Sequence, residues 1–204
     1  MQIRLGRLML SLSLLSLAAA AQSGGLQLSS TTFANRAALP LSMIHNVLVN
    51  GSNVCTVDGS PGGNQSPELS WTNAPQGTVS FAVIMYDVTA AFTHWGIYNI
   101  PATATGLPEN AGVPGSQFGN QIVNDFFDPP EYDGPCPPPN FRPDTHRYVF
   151  TVYAFDKVLK LPSPVNFPAS AETLYQALIS AGRRGRILRS ASITGVYSNT
   201  PLPQ

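Results

Sequence analysis

Residues 79–86 read VSFAVIMY, and Asp87 follows them. A run this short and this apolar reads as a strand. Successive side chains of a strand point to opposite faces, so a run that is nearly all apolar has to be covered on both. The rest of the chain must therefore supply a layer above this strand and another below it. Further short runs rich in Val, Ile, Tyr and Phe supply candidates: LQLSS, SMIHNVLV, WGIYNI, HRYVFTVYAFD and ASITGVYS, punctuated by Pro, Gly and Asn. One helix is expected after Ser170, which can cap it. Glu172 sits in its first turn, and Leu174, Leu178 and Ala181 share a face. Strands dominate, with one or two helices late in the chain, which predicts a β-sandwich with peripheral C-terminal helices. A chain of 204 residues has room for one such domain.

The first residues do not belong to that domain. MQIRLGRLMLSLSLLSLAAAAQ places Arg4 and Arg7 before an apolar run from Leu8, then small residues ending at Ala21. This is the layout of a secretory signal peptide with an A-x-A-like cleavage site, which leaves residues 22–204 as a single domain. The apolar run is shorter than the ~20 residues a bilayer span needs, so no transmembrane span is expected. No Cys stands near the cleavage point, which argues against a lipoprotein. The expected location is secreted or periplasmic. The leader carries two basic residues and no acid, so its removal leaves a mildly acidic protein. That balance, and the absence of a basic stripe, excludes a nucleic-acid binder. The one basic cluster, GRRGRILR, reads as the solvated end of a helix.

Both cysteines, Cys55 and Cys136, lie beyond the leader. An even count in an exported chain makes a disulfide between them the default, worth roughly 4 kcal/mol in the chain-entropy view if unstrained. Asn50-Gly51-Ser52 and Asn64-Gln65-Ser66 match the N-glycosylation pattern.

The chemistry gathers in two segments. In the first, YDVTAAFTHWGIYNIP, the apolar strand ends at Asp87 and His94 opens the next strand. In the second, GPCPPPNFRPDTHRYVFTVYAFD, a proline-dense loop runs into a strand bearing His146 and Tyr148. The prolines fix their own φ and restrict the residue before them, so the whole stretch from Gly112 to Pro143 reads as a rigid loop with a purpose.

These segments resemble the phosphatidylethanolamine-binding protein family, of the bacterial type related to Raf kinase inhibitor protein. NQSPELSW (Asn64 to Trp71) is similar to that family's N-x-S-P-x-L-x-W. THWGIYNIP resembles its H-W segment, NDF at Asn124 to Phe126 its N-D-F loop, and YDGPCPP with HRYVFTVYAFD its second signature. The likeness runs from about Phe33 to Tyr197. It implies an antiparallel β-sandwich with a small pocket at one end that binds phosphate or a phospholipid headgroup. Carried over by motif, Asp87, His94, Gly134, Pro135, His146 and Tyr148 form that pocket, with Tyr132 and Tyr197 beside it. Three places depart from the pattern. The rim Val88 to Phe92 is short, with Thr89 where the family usually has a second acid. Gly185-Arg186-Ile187-Leu188 replaces a G-H-I-L. GNQIVNDFFDPPEYDG has unusual spacing. A less acidic pocket is expected.

The residue chemistry suits an anion. Two imidazoles can each donate to it, Asp87 can orient one of them, and Tyr148 adds a hydroxyl. The backbone N–H groups of Gly134 and Cys136 are expected to point at the same spot. If a charged His carries the affinity, binding weakens above the imidazole pKa. Trp71, Trp95 and His45 are expected to be structural. Neither HExxH nor paired CxxC is present to suggest a metal, and no cofactor is expected. The expectation is a non-catalytic binding protein. Two alternatives stand beside it. One is an inhibitor acting on a secreted or periplasmic partner such as a protease. The other is a hydrolase using His and Asp, although the chain has no G-x-S-x-G elbow.

Overall fold

The computed structural model describes residues 24–127, 129–161 and 169–200. The leader expected over residues 1–21 lies outside them. In chain order the strands are β1 (Gln27–Ser29), β2 (Leu48–Val49), β3 (Ser52–Asn53), β4 (Leu69–Thr72), β5 (Ser80–Asp87), β6 (Phe92–Pro101), β7 (Gly106–Leu107), β8 (Asn120–Gln121), β9 (Thr145–Phe155) and β10 (Ile187–Ser198). A helix, α1 (Ala171–Arg183), precedes β10. The large sheet has the order β10-β9-β5-β6-β8 and a smaller one the order β1-β4-β7, all neighbours antiparallel. Strands β2 and β3 form a separate hairpin.

The apolar run becomes β5, the middle strand of the large sheet. Phe81, Val83 and Met85 point into the core shared with the small sheet, where Trp71 lies 5.2 Å from Phe81 ring to ring. Ala82 and Ile84 point the other way, into a second apolar cluster with Leu174, Leu178 and Ala181 of α1. Two layers therefore cover one strand, as its composition requires. In β9 the buried positions alternate: His146, Tyr148, Phe150, Val152 and Ala154 share the inner face. His146 and Tyr148 thus continue the core stripe to its end.

Helix α1 begins with a reciprocal cap. The Ser170 hydroxyl accepts from the Thr173 N–H, and the Thr173 hydroxyl accepts from the Ser170 N–H. It ends in a Schellman turn: the Gly185 N–H donates to Gly182 O and the Arg186 N–H to Ala181 O, with Gly185 at φ +64°.

Three expectations change. SMIHNVLV is not one strand; Leu41–Met43 form a 3-10 turn and Leu48–Val49 alone pair with β3. Met43 and Ile44 are neighbours in sequence and both wholly buried, which a half-covered strand does not allow. This segment instead bonds loop to loop, His45 N–H to Pro135 O and Asn64 N–H to Ile44 O. The C-terminal helices reduce to α1 among the described residues. GRRGRILR is only partly a helix end, because Ile187 to Arg189 already belong to β10.

Cys55 and Cys136 form a disulfide across 81 positions, with Cα atoms 4.5 Å apart. It ties the proline loop to the segment after β3. Replacing both by Ala is expected to lower unfolding free energy by about 2–5 kcal/mol, read from urea melts of oxidised wild type and variant.

Candidate functional site

The large sheet builds the site through its register. Asp87, last residue of β5, lies between Phe92 on β6 and Tyr148 on β9. His146 is two residues before Tyr148 on the same face, one pleat beyond the end of β5. His94 arrives by another device. Met85 pairs with Trp95 and Tyr86 with Thr93, so His94 is the extra residue of a β-bulge. The bulge lets His94 and Trp95 both face inward, while the Thr93 hydroxyl meets that of Tyr175 on α1 at 3.2 Å.

A cavity of about 160 Å³ opens here, lined by Asp87, Ala90, Phe92, His94, Phe126, Cys136, Pro137, Pro138, His146 and Tyr148. Tyr148 stands between the imidazoles, its ring 5.2 Å from that of His94 and 6.4 Å from that of His146. Its hydroxyl is buried and has no hydrogen-bond partner among the described residues. Burial, and secondarily the charge of Asp87, raises its pKa far above the ordinary tyrosine value.

Both carboxylate oxygens of Asp87 are engaged. Oδ2 accepts from His146 Nδ1 at 2.6 Å, and Oδ1 from the N–H groups of Thr89 and Ala90 at 2.8 and 3.2 Å. The pair is buried, and three donors around one carboxylate offset its desolvation. His94 is held from behind, where its Nδ1 donates to the carbonyls of Asp133 (2.8 Å) and Gly134 (3.1 Å). Burial lowers the His94 pKa from its ordinary value to about 4, against the opposing pull of those carbonyls and of Asp87 and Asp133. The ring is therefore neutral at pH 7, with its proton on Nδ1 and a lone pair on Nε2. The site is too dry for His94 to be a charged imidazole at that pH.

Beneath His94 lies a polar network centred on Asp133, which is 1% exposed. Asn124 Nδ2 donates to its Oδ2 at 2.7 Å and Asn64 Nδ2 to its Oδ1 at 3.2 Å, while His45 Nδ1 sits 3.6 Å away. Asn64 Oδ1 accepts from the Gly134 N–H at 2.7 Å. That N–H is therefore spent on the loop and does not reach the cavity, contrary to expectation. Gly134 is also where the loop presses closest, since a Cβ there would lie 1.9 Å from the Met43 carbonyl.

Asp87, His94, His146 and Tyr148 thus line one cavity. Gly134 and Pro135 support it through their carbonyls rather than lining it. Tyr132 is core; its hydroxyl donates to Met43 O at 2.9 Å and its ring meets Trp95 edge-on. Tyr197 pairs with His146 across the sheet but turns its hydroxyl to Cys55 O, at 2.9 Å. The walls Phe92, Phe126, Pro137 and Pro138 and the Asp133 network escaped sequence reasoning. Asn64, Asn124 and Asp133 all sit in the quoted motifs, which was the available signal.

Larger grooves lie elsewhere, one of about 530 Å³ between α1 and the Lys157–Lys160 segment. None of them gathers buried polar groups as this cavity does. Among the described residues no cluster of three or more His, Cys, Asp or Glu could hold a metal ion, and no helix is long and apolar enough to cross a membrane.

A sandwich with two imidazoles, a carboxylate and a proline loop around one end-cavity defines a class, and comparison with known proteins identifies it. The sequence model of the phosphatidylethanolamine-binding protein family matches residues 29–198, and the chain belongs to that family. YbcL of Escherichia coli is 38% identical over 154 residues, 72% of this chain and 78% of its own length. Its crystal structure, described as a new member of the mammalian PEBP family, superposes with a TM-score of 0.65 at 31% identity, covering 86% of this chain and 99% of that one. A UPF0098 protein of Methanothermobacter thermautotrophicus is also 38% identical, over 147 residues, covering 70% of this chain and 86% of that one. A protein of Mycobacterium tuberculosis named a putative lipoprotein, LppC, is 28% identical over 150 residues, 72% of this chain and 71% of its own length.

Two outcomes are expected here. Unfolded His94 binds a proton near pH 6.5, the folded ring only near 4. The unfolded state therefore holds more protons in that window. Stability fully present above pH 6.5 falls by about 3 kcal/mol as the pH drops to 4. Denaturant melts from pH 7 to 4 on wild type and His94→Gln read this directly, the variant lacking that component of the slope. Separately, Asn124→Leu removes a donor from buried Asp133 and should cost about 1–3 kcal/mol, measured by thermal melts at pH 7.

Proposed function

We propose that this protein is an exported, non-catalytic binding protein whose end-cavity seats a small anion, phosphate or a phosphorylated headgroup. The observation that carries the reading is the Tyr148 hydroxyl, a buried donor without a partner among the described residues, on a side chain that lines the cavity together with two imidazoles. Buried polar groups are almost always hydrogen-bonded, so an orphaned donor in a cavity wall asks for an acceptor. The small volume and the flanking Ala90, Phe92, Phe126 and prolines suit a headgroup-sized ligand better than a drug-sized one, for which cavities of roughly 300 Å³ and above are usual. Family membership supports the same class of ligand. Export is supported by the Cys55–Cys136 disulfide, a bond of oxidising compartments, and by the lipoprotein name of one relative.

The His146–Asp87 pair resembles the base of a hydrolase, but among the described residues no serine or free thiol lines the cavity to serve as nucleophile. The partner-binding reading has one observation in its favour. Val88, Phe127 and Phe141 are 41%, 87% and 66% exposed, and the first two directly follow the lining residues Asp87 and Phe126. Apolar side chains so placed at a pocket rim fit a protein surface, such as that of a secreted protease.

Calorimetry of the protein without its leader against phosphate, phosphoethanolamine and ethanolamine tests the proposal. Both phosphates should bind and ethanolamine should not. A hydrogen bond to a charged group is worth about 1.5–3 kcal/mol, so Tyr148→Phe should weaken phosphate by about tenfold or more at unchanged melting temperature. Absence of binding by either phosphate would end the anion reading and move the partner protein to the front.

A further inference from the structure

We infer, building on the anion-seat reading above, that the cavity selects a phosphomonoester carrying one P–OH over a phosphodiester. His94 sets this preference, because both main-chain carbonyls behind it claim the Nδ1 proton. A neutral imidazole has one N–H, so Nε2, the ring nitrogen left for the cavity, offers only a lone pair. A ligand oxygen that meets it must bring its own hydrogen. Tyr148 presents the opposite polarity, an O–H seeking an acceptor. His146, with Nδ1 committed to Asp87, can donate through Nε2 only when doubly protonated.

The site therefore asks for a group that accepts at Tyr148 and donates at His94. A phosphomonoester monoanion does both, using non-ester oxygens for the first and P–OH for the second. A phosphodiester monoanion has no hydrogen to give. It sets lone pair against lone pair unless His94 takes up a second proton. The charged groups facing His94 are Asp87 at the end of β5 and Asp133 in the loop; Tyr148 and His146 face it from β9, and Phe92 and Phe126 close the remaining sides. The two carboxylates favour a second proton, but desolvation outweighs them and holds the ring near 4.

The size of the preference follows from the free states. A phosphomonoester has its second pKa at about 6, so about one-tenth is monoanion at pH 7. At the same pH a ring of pKa about 4 is protonated only about one part in a thousand. With equal contacts in the bound state, the monoester should bind about 100-fold more tightly than the diester. Monoester affinity should also fall about tenfold per pH unit above 6.

Methyl phosphate and dimethyl phosphate differ by one methyl group and test this by calorimetry at pH 5.5, 7 and 8. Phosphoethanolamine and glycerophosphoethanolamine repeat the comparison for a free headgroup and a lipid-derived one. Preference for each monoester, uptake of about one proton at pH 8, and collapse of the preference in His94→Gln, whose amide can donate without a proton, would support the inference. Equal binding of monoester and diester with no pH dependence would overturn it while leaving the anion seat standing. Binding of neither at any of the three pH values would overturn both.

Discussion

Burial of β5 on both faces governs where this protein can keep polar chemistry. No position from Phe81 to Met85 tolerates a polar side chain, because each points into one apolar cluster or the other. The first polar side chain after that stretch that faces the core is Asp87, at the strand's last residue. Its carboxylate is buried and would be prohibitively costly alone. The turn N–H groups of Thr89 and Ala90 and the His146 ring satisfy it, so the turn geometry and the far strand both answer to one charge.

A second buried carboxylate, Asp133, does for the loop what Asp87 does for the sheet. Asn64, 69 positions away, and Asn124, nine positions away, both hold it, and Asn64 also takes the Gly134 N–H. Their combined effect is to fix two carbonyls behind His94 and thereby its tautomer. The disulfide anchors Cys136 and prolines stiffen the same wall, so the cavity is preorganised.

The departures from the family pattern sort themselves by position. Arg186, in the G-H-I-L segment, lies at the opposite end of β10 from the cavity and pairs with Asp156 at 2.8 Å. Thr89, in place of the second acid, turns its hydroxyl to the Arg147 N–H and so ties the rim to β9. Ala90 then contributes an apolar patch to the cavity, and Asp87 is the one acid among its described lining residues. The other polar side chains among the described lining residues are His94, His146 and Tyr148.

Local chemistry determined much of this protein. Side-chain periodicity specified the strands, capping residues the start of α1, and the motif segments pointed to Asp87, His94, His146 and Tyr148, because each of those signals is written in consecutive residues. Register, bulge and solvent access were not, since they depend on which strands meet and how deeply. Only the folded chain sets Asp87 beside Tyr148, turns His94 inward through an extra residue, and sends the Tyr132 and Tyr197 hydroxyls to backbone carbonyls instead of the cavity. The charge state of His94 belongs to this second kind. An imidazole alone titrates near ~6.5, and it is the surrounding Phe92, Phe126 and Tyr148 rings, brought from three separate segments, that exclude the water its charge would need.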